Sequence, residues 1–502
     1  MIRRPGAITG RLLTTLLLGC GLAAGFLALS AAAATDAATA VHYVAPGGAC
    51  GGATPCHASL QDAVDAAAAG DEIRVASGTY TGVLERDDEV QLAYISKTVD
   101  LRGGYVTTNW SDANPEAHST TLDAQWGGRA FTIIGDISVT IEGFEIVRGF
   151  AVMGGGIYAE DAEVSLIGNQ IADSVAQGSG PFDPGYGGGV YLKLCQAEVR
   201  GNRLEDNSAN GGGWYSGGGG LYADRSSLTL DDNLFQSNTT LFSSGGGAHI
   251  RRSTATLLGN AFVSNTADSR GAGLFLNASE GVQLAGNRMT GNTCYEWGGG
   301  VSVYDSDASL IGDSITDNTA YDGGAGLFLD ESDVGLTNSV VADNQSFFGT
   351  AGIGLHAVEA SARLVHATFA RNTGGAGNGI RVSPGSLWVT NTVVVSHAVG
   401  VFATAGSTAT LNGVLWYSNT TAGYAGDGSF TVNHAITGTP AFAADGYHVM
   451  TGSAAIDAGV MAGVGSDVDH EPRFGIPDLG VDEYWAQGAL KRVYLPVEVR
   501  EG

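Results

Sequence analysis

Lysine is nearly absent from this chain of 502 residues, and basic residues of both kinds are few. The sequence has 24 Lys and Arg against 51 Asp and Glu, and its formal net charge is -27. A surface this acidic repels phosphate backbones and anionic lipid, so nucleic acid and anionic membranes are excluded as partners. It also disfavours a polyanionic sugar unless a divalent cation bridges the two.

Proline and cysteine are scarce as well, with 11 and five residues. The 78 glycines follow no Gly-X-Y period, which excludes collagen, and an apolar share of 44% is too high for a disordered chain. Cys50 and Cys56 flank a tight loop and are predicted to form a disulfide. Cys195 and Cys294 fall at different positions of the repeat described below, so we expect both to be free.

Long apolar runs are confined to the N-terminus. Arg3 and Arg4 precede an apolar stretch over residues 12–29, and small residues up to Ala40 offer cleavage sites. This pattern predicts a secretory signal peptide over residues 1–40. No later stretch is long and apolar enough to span a membrane. We therefore expect a secreted or cell-surface protein.

The chain contains an internal repeat. A Gly-x-Gly signal recurs at steps of 25 to 33 residues, beginning at Gly154, Gly187, Gly218, Gly245, Gly271, Gly298, Gly324, Gly352 and Gly377. With the first Gly as position one, apolar residues follow in three segments of period two, which indicates strands. The repeat predicts an all-β fold: a single-stranded, right-handed parallel β-helix with three strands per coil and about a dozen coils.

Asparagine forms two columns in this register. Position sixteen holds Asn in four units, and position twenty-one holds it in six, with Asn292 one residue late. Stacked Asn side chains can bond amide to amide along such a rod. The columns therefore support stacking of successive units.

The repeat resembles that of chlamydial-type polymorphic outer-membrane proteins. Gly-Gly and an apolar residue are followed by Phe-x-x-Asn at Phe235, Phe262 and Phe369. Both ends, including residues 59–64 and 478–484, resemble bacterial secreted β-helix proteins of the pectate-lyase-like superfold. The resemblance implies export and this fold, and it implies little about activity.

The remaining segments are assigned by pattern. Residues 41–97 are predicted to form an N-terminal cap with a helix over 59–69, with Ser59 as N-cap and Gly70 as stop. Residues 98–437 hold the repeats, and residues 438–485 are predicted to cap the other end. Residues 486–502 form a tail that is either an edge strand or a sorting signal.

Positions five and seven of each unit are predicted to point outward. Position five forms an aromatic column, and the loops entering the strand add further aromatic residues; the candidate ligand-binding residues are Tyr158, Tyr191, Tyr222, His249, Phe275, Trp214 and Tyr215. One interpretation is a groove that stacks sugar rings. The other is a ladder that stiffens the sheet and packs the loops.

Position seven alternates in charge over four units, from Glu160 through Lys193 and Asp224 to Arg251. One interpretation is a ladder of ion pairs. The other makes Glu160 and Asp224 a catalytic acid and base about 9.5 Å apart, near the upper limit for inverting glycosidases. The loops 175–186 and 208–217 would then wall a cleft.

Acidic residues also cluster near the C-terminus. Asp467, Asp469 and Asp482 offer oxygen ligands for Ca²⁺, while turn capping and pairing with Arg473 is the alternative. No other cofactor is expected. The sequence favours a non-catalytic, monomeric β-helix that presents a surface for adhesion or glycan binding, and a polysaccharide hydrolase or lyase is the alternative.

Overall fold

The computed structural model describes residues 39–178, 180, 183–213, 215–349 and 351–485. All but the last two positions of the predicted signal peptide lie outside the described residues, and so does the predicted tail. Within the described ranges, no helix is long and apolar enough to cross a membrane.

Residues 41–437 form a right-handed parallel β-solenoid of about 14 turns, which confirms the predicted fold class. The first strands of the coils make one sheet with the bounds Leu84–Arg86, Glu89–Ile95, Arg129–Ile134, Ile157–Glu160, Val190–Lys193, Leu221–Asp224, Ala248–Arg251, Leu274–Asn277, Val301–Tyr304, Leu327–Asp330, Gly352–Val358, Asn378–Val382, Val399–Ala403 and Ala422–Ala425. Its first two strands form an antiparallel hairpin, and its other pairings are parallel.

The second and third strands of the coils belong to a 27-stranded sheet. The second strands are Val41–Val44, Asp71–Ala76, Val99–Tyr105, Ser138–Glu142, Glu163–Ile167, Gln196–Arg200, Ser227–Asp231, Thr254–Leu258, Val282–Ala285, Asp307–Ile311, Asp333–Thr337 and Ala360–Val365. The third strands are Gly78–Tyr80, Thr120–Asp123, Glu145–Val147, Gln170–Ala172, Arg203–Glu205, Leu234–Gln236, Ala261–Val263, Arg288–Thr290, Ser314–Thr316, Val340–Ala342 and Thr368–Ala370. The short strand Cys56–His57 lies in parallel beside the first of the second strands, Val41–Val44. In each of the last three coils, one long strand takes the positions of both the second and the third strand. These strands are Gly385–Val395, Thr408–Tyr417 and Ser429–Thr437. The parallel ladder thus already includes strands of the 41–97 segment.

Among the described residues, nine coils contain a fourth strand, whereas the sequence predicts three per coil. These strands are Phe150–Ala151, Val175–Gln177, Ser208–Asn210, Thr239–Leu241, Thr266–Ala267, Thr293–Cys294, Thr319–Ala320, Gln345–Ser346 and Thr373–Gly374. Two or three residues are too few to show an alternating pattern in the sequence. Only the parallel pairing with the neighbouring coils reveals them.

The inward side chains form one continuous apolar core along the rod. Ile157 and Ala159 of one first strand are buried, as positions four and six require. Phe235 and Phe262, at position eighteen, stack with ring centroids 4.7 Å apart and planes 4° apart. The period of two therefore decides which residues enter the core.

Both asparagine columns are present inside the turns. Asn202 Nδ2 donates to Asn233 Oδ1 at 3.1 Å, and Asn238 Nδ2 donates to Asn265 Oδ1 at 3.1 Å. Each amide also bonds backbone groups of the adjacent coils, such as the Leu204 carbonyl. The columns satisfy buried backbone groups that the turns would otherwise leave unpaired.

The one α-helix among the described residues spans Leu60–Ala66. Ser59 Oγ accepts from Asp62 N at 3.1 Å, as predicted for an N-cap. The helix is shorter than the predicted 59–69 because the Asp71 carboxylate accepts from Ala68 N at 2.8 Å and holds the chain in another conformation. The Cys50–Cys56 disulfide is present, and Cys195 and Cys294 are free and buried.

The segment 438–485 lies along the side of the last coils. Its residues Val449, Leu479 and Val481 pack on outward side chains of third strands, such as Val340 and Val393. The last described strand, Ser429–Thr437, pairs along one edge only, and most of its residues are exposed. The structure therefore corrects the prediction that this segment caps the end of the solenoid.

Candidate functional site

The outer face of the first strands carries the predicted vertical columns. Tyr158 pairs in register with Tyr191, Tyr191 with Tyr222, Tyr222 with His249, and His249 with Phe275. Residues one repeat apart therefore lie directly over one another, and the predicted register is confirmed.

The column is nevertheless buried. Tyr158, Tyr191, Tyr222, His249 and Phe275 are each at most 6% exposed, so the prediction of a solvent-facing aromatic column is wrong. Burial raises the pKa of the three tyrosines above the ordinary value and lowers that of His249 to about 3. At neutral pH these side chains are uncharged and inaccessible to a sugar.

The covering layer comes from the loops that enter the first strands. These loops pair in parallel with one another, for example Tyr186 with Gly217 and Gly217 with Ser244. A Cβ at Gly217, whose φ is +112°, would lie 2.0 Å from the Ser244 carbonyl oxygen, so this close stack requires glycine. Glycine-rich loops thus approach closely enough to cover the aromatic column.

Three contacts tie this layer to the column. The Tyr222 hydroxyl donates to the Tyr215 carbonyl at 3.0 Å, and His249 Nδ1 lies 3.2 Å from the Ser216 carbonyl. The Tyr186 ring contacts Tyr222 at a centroid distance of 5.1 Å. The described parts of loops 175–186 and 208–217 therefore cover the face. Tyr215 itself stays 44% exposed, and Trp214 lies outside the described residues.

Glu160 is held in an ion pair. Its carboxylate accepts from Lys193 Nζ and from the Tyr158 hydroxyl. Burial acts to raise the pKa of Glu160, but these two hydrogen bonds outweigh it and lower the pKa below the ordinary value. A general acid needs a raised pKa, so this arrangement does not fit the acid of a glycosidase.

Asp224 is buried among arginines. Its two oxygens accept from Arg252 at 2.8 and 2.7 Å, Arg225 lies at 3.1 Å, and Arg251 lies at 4.0 Å. These partners occupy the carboxylate oxygens that a general base would turn toward water. Position seven therefore matches the ion-pair interpretation.

An exposed aromatic ridge lies elsewhere, just after the fourth strands. It consists of Tyr295, Tyr321, Phe347 and Phe348 from three successive coils. The Tyr295 and Tyr321 centroids lie 5.1 Å apart, and Tyr321 lies 5.0 Å from Phe347 and 6.0 Å from Phe348. Tyr295 is 49% exposed and Phe348 62%. Four neighbouring rings thus lie at the surface, three of them exposed and Tyr321 half-buried between them.

Backbone hydrogen bonds fix the spacing of the aromatic ridge. Tyr321 N donates to the Cys294 carbonyl at 3.1 Å, and Phe347 N donates to the Ala320 carbonyl at 3.2 Å. The acids Glu296 and Asp322 follow the first two rings directly in the sequence. The aromatic ridge is therefore a repeated surface with carboxylates beside it.

The predicted calcium ligands do not all meet. Asp467 caps a turn, because its oxygens accept from the backbone N of Asp469, Glu471 and Glu483 at 2.8–3.1 Å. Arg473 Nη1 lies 3.2 Å from Glu483 Oε2. For Asp467 the capping interpretation therefore fits, whereas Asp469 and Asp482 gather around His448, which the sequence analysis missed.

The sequence model described as "Right handed beta helix region" matches residues 117–292 and 188–415, together more than half of the chain. The chain belongs to the right-handed β-helix family. No curated protein sequence matches this β-helix at a significant level.

Several solved structures are similar to this β-helix at low identity. Pectate lyase Pel9A is 15% identical over 89% of this chain and 97% of its own, with a TM-score of 0.32. The periplasmic alginate epimerase AlgG is 10% identical over 73% and 85%, with a TM-score of 0.36. PfbA, a surface adhesin of Streptococcus pneumoniae, is 10% identical over 75% and 85%, with a TM-score of 0.33. These similarities say nothing about the activity of this β-helix.

The aromatic ridge of this β-helix does have a signal in the sequence. Tyr321 and Phe347 fall at position twenty-four of their units, and Tyr295 falls at position twenty-five of the unit that runs one residue late. The position follows a fourth strand that the sequence analysis did not resolve. His448 has no such repeat position, because it lies in the irregular C-terminal segment.

Proposed function

We propose that this protein is an exported, non-catalytic β-helix that binds a neutral glycan on a cell surface. The observation that carries the proposal is the aromatic ridge, a row of three exposed rings and one half-buried ring that the fold repeats from coil to coil. The proposed export rests on the predicted signal peptide.

Aromatic rings exposed in a row suit a sugar chain. The apolar C–H face of a pyranose stacks on an aromatic ring, and its hydroxyls donate to nearby carboxylates. Tyr295 and Tyr321 are tilted by 40°, and Tyr321 and Phe347 by 51°, so successive rings offer differently inclined faces. Burial of large, rigid aromatic side chains is a common source of binding energy at recognition surfaces.

Charge restricts the ligand to a neutral or weakly basic glycan. The chain carries a formal net charge of -27, and the acids beside the aromatic ridge add to the local negative field. An anionic polysaccharide would be repelled at low ionic strength. The same carboxylates accept hydrogen bonds from neutral sugars.

The enzymatic alternative has less support. Glu160 and Asp224 are both held in ion pairs, and Asp224 is buried. A panel of glycans assayed for reducing-sugar release and for unsaturated products tests this alternative directly. Turnover that Glu160→Gln abolishes would overturn the non-catalytic proposal.

A glycan array probed with the mature protein tests the proposal. We expect binding to at least one neutral glycan, and Tyr321→Ala should lower the affinity at least about tenfold, equivalent to about 1.4 kcal/mol. Phe348→Ala should weaken the same ligand. The matched control is Tyr417→Ala, because Tyr417 is an exposed tyrosine on another strand.

The array and the variants distinguish binding at the aromatic ridge from binding elsewhere and from no binding. Loss of binding in Tyr321→Ala but not in Tyr417→Ala supports the aromatic ridge as the binding surface. Equal affinity of Tyr321→Ala and the unaltered protein places the ligand elsewhere, and no binding to any glycan contradicts the proposed function.

A further inference from the structure

Three parts of the C-terminal segment bring an imidazole and carboxylates together. His448 Nε2 lies 2.5 Å from Asp469 Oδ2, and His448 Nδ1 lies 2.6 Å from Asp445 Oδ2. One ligand atom each from His448, Asp469 and Asp482 lies within 4.8 Å of the others. His448 and Asp469 are 21 residues apart in the sequence, and Asp469 and Asp482 are 13 residues apart, so only the fold brings the three together.

We propose that His448, Asp469 and Asp482 form a binding site for a divalent transition-metal ion of the Zn²⁺ class. The site is independent of the aromatic ridge and of the proposed glycan binding. It differs from the calcium site expected from the sequence, because it contains an imidazole nitrogen and omits Asp467.

The imidazole is oriented for metal binding by a carboxylate on its far side. Asp445 Oδ1 accepts from the backbone N of Tyr447 and His448 at 3.0 and 3.1 Å, while its Oδ2 lies against His448 Nδ1. A histidine ligand commonly bonds a carboxylate through its other ring nitrogen, which fixes the tautomer and raises the basicity of the ligating nitrogen. His448 Nε2 is thereby turned toward Asp469 and Asp482.

Asp482 supplies an observation independent of those contacts. Its side chain is more than nine-tenths buried, and its Oδ2 accepts from Val449 N at 2.7 Å. Among the described residues, no donor bonds its second oxygen, Oδ1. This oxygen is therefore available as a ligand, and Asp482 belongs to the group that His448 and Asp469 form.

The donor set selects the class of metal. Zn²⁺ binds imidazole nitrogen and carboxylate oxygen at about 2.0–2.2 Å in tetrahedral geometry, which places neighbouring ligand atoms about 3.5 Å apart. The distance from His448 Nε2 to Asp469 Oδ2 reaches this value when the two side chains move apart by about 1 Å. Ca²⁺ prefers six to eight oxygen ligands, and three protein ligands of which one is nitrogen do not suit it.

An ion at this position would tie together the turns that carry His448, Asp469 and Asp482. These turns flank the last coils of the solenoid, where the described residues contain no disulfide. A ligand that binds only the folded state stabilises it in proportion to its concentration over its Kd. Zn²⁺ should therefore raise the melting temperature of the chelator-treated protein by several degrees.

The experiment measures binding of Zn²⁺ and Co²⁺ to the chelator-treated mature protein. Elemental analysis should find one equivalent of Zn²⁺ more in the unaltered protein than in His448→Gln or Asp469→Asn. Co²⁺ should give the visible absorption of a low-coordinate site, and both variants should lose it. Asp445→Asn should weaken binding about 10- to 100-fold, since it removes the orienting carboxylate only.

The control is His434→Gln, because His434 is an exposed imidazole of the same region that contacts the Ala458 carbonyl. It should bind Zn²⁺ like the unaltered protein. Asp469 is exposed, so Asp469→Asn should remain folded and keep the test valid if His448→Gln does not fold. Equal Zn²⁺ binding by Asp469→Asn, absence of binding, or tight Ca²⁺ binding without Zn²⁺ binding would each overturn the proposal.

Discussion

Asp313 stands at an asparagine position inside the solenoid. The column at position sixteen runs through Asn233, Asn260 and Asn287, and the next coil places Asp313 there. Asp313 Oδ1 accepts from Asn287 N and Nδ2 at 2.7 and 2.9 Å, as the amide oxygens do elsewhere in the column. The other oxygen, Oδ2, is buried without a partner.

This unpartnered oxygen takes the place of an amide NH₂ group. In the preceding coils that group donates to a backbone carbonyl, as Asn287 Nδ2 does to the Leu257 carbonyl at 3.0 Å. Burial raises the pKa of Asp313 to about 7, although its hydrogen bonds with Asn287 oppose the rise. A protonated Asp313 resembles asparagine in shape and can donate where Asn would, whereas an ionised Asp313 cannot.

The substitution Asp313→Asn should therefore stabilise the protein in a pH-dependent way. The unfolded chain ionises at the ordinary pKa of 3.8 and the folded chain at about 7, so between these values the folded state holds a proton that the unfolded state has lost. Stability contributed by the protonated carboxyl is fully present below pH 3.8 and is lost as the pH rises to about 7. At about 1.36 kcal/mol per pKa unit, the full loss is on the order of 4 kcal/mol.

Urea unfolding of both proteins at pH 4, 6 and 8 measures this effect. We expect the two proteins to be nearly equal at pH 4, and Asp313→Asn to be the more stable at pH 8. Asp307→Asn is the control, because Asp307 is an exposed acid on a neighbouring strand and should show no such trend. If Asp313→Asn follows the unaltered protein at all three pH values, the reasoning from the buried carboxylate is refuted.

Three further substitutions test the core, the turns and the ion pairs. Phe262→Ala removes a fully buried ring stacked on Phe235 and should cost about 3–5 kcal/mol in urea unfolding; a loss below 1 kcal/mol would contradict the packing. Burial lowers the pKa of His397 to about 4, so the free energy of unfolding decreases as the pH falls from 6.5 to about 4. His397→Asn should make the melting temperature less sensitive to acid. An unchanged pH profile of the melting temperature would contradict this prediction. Asp224→Asn removes the charged acceptor of Arg252, which is 40% exposed and stays solvated, so it should lower stability by about 1–2 kcal/mol; an unchanged urea midpoint would show that the pair contributes nothing.

The register of the coils could be predicted from the sequence because it depends on a short period and on stacking. Ile157 and Ala159 enter the core, and Asn238 bonds Asn265, as the positions in the repeat required. The disulfide between Cys50 and Cys56 was predicted from a separation of six residues. Each of these features follows from neighbours in the chain or from identical positions one repeat apart.

The candidate site was predicted less well, because exposure depends on what covers a strand. Tyr222 points away from the core as expected, yet a loop of the same coil covers it. The half-buried Tyr321 of the aromatic ridge follows a two-residue strand that leaves no alternating pattern. Neither the covering loop nor the short strand could be recognised from local residue patterns.

The sequence by itself determined that the chain is a stack of similar coils, which residues fill its interior and which side chains form vertical columns, since a repeat with period two admits one inward face. Only the tertiary structure decided which outward columns reach solvent and which distant residues meet. Glycine-rich loops cover the aromatic column of the first strands, whereas the aromatic ridge after the fourth strands stays at the surface. The fold of the C-terminal segment brings His448 close to Asp469 and Asp482. These outcomes depend on long-range packing of irregular segments, which no periodicity in the sequence describes.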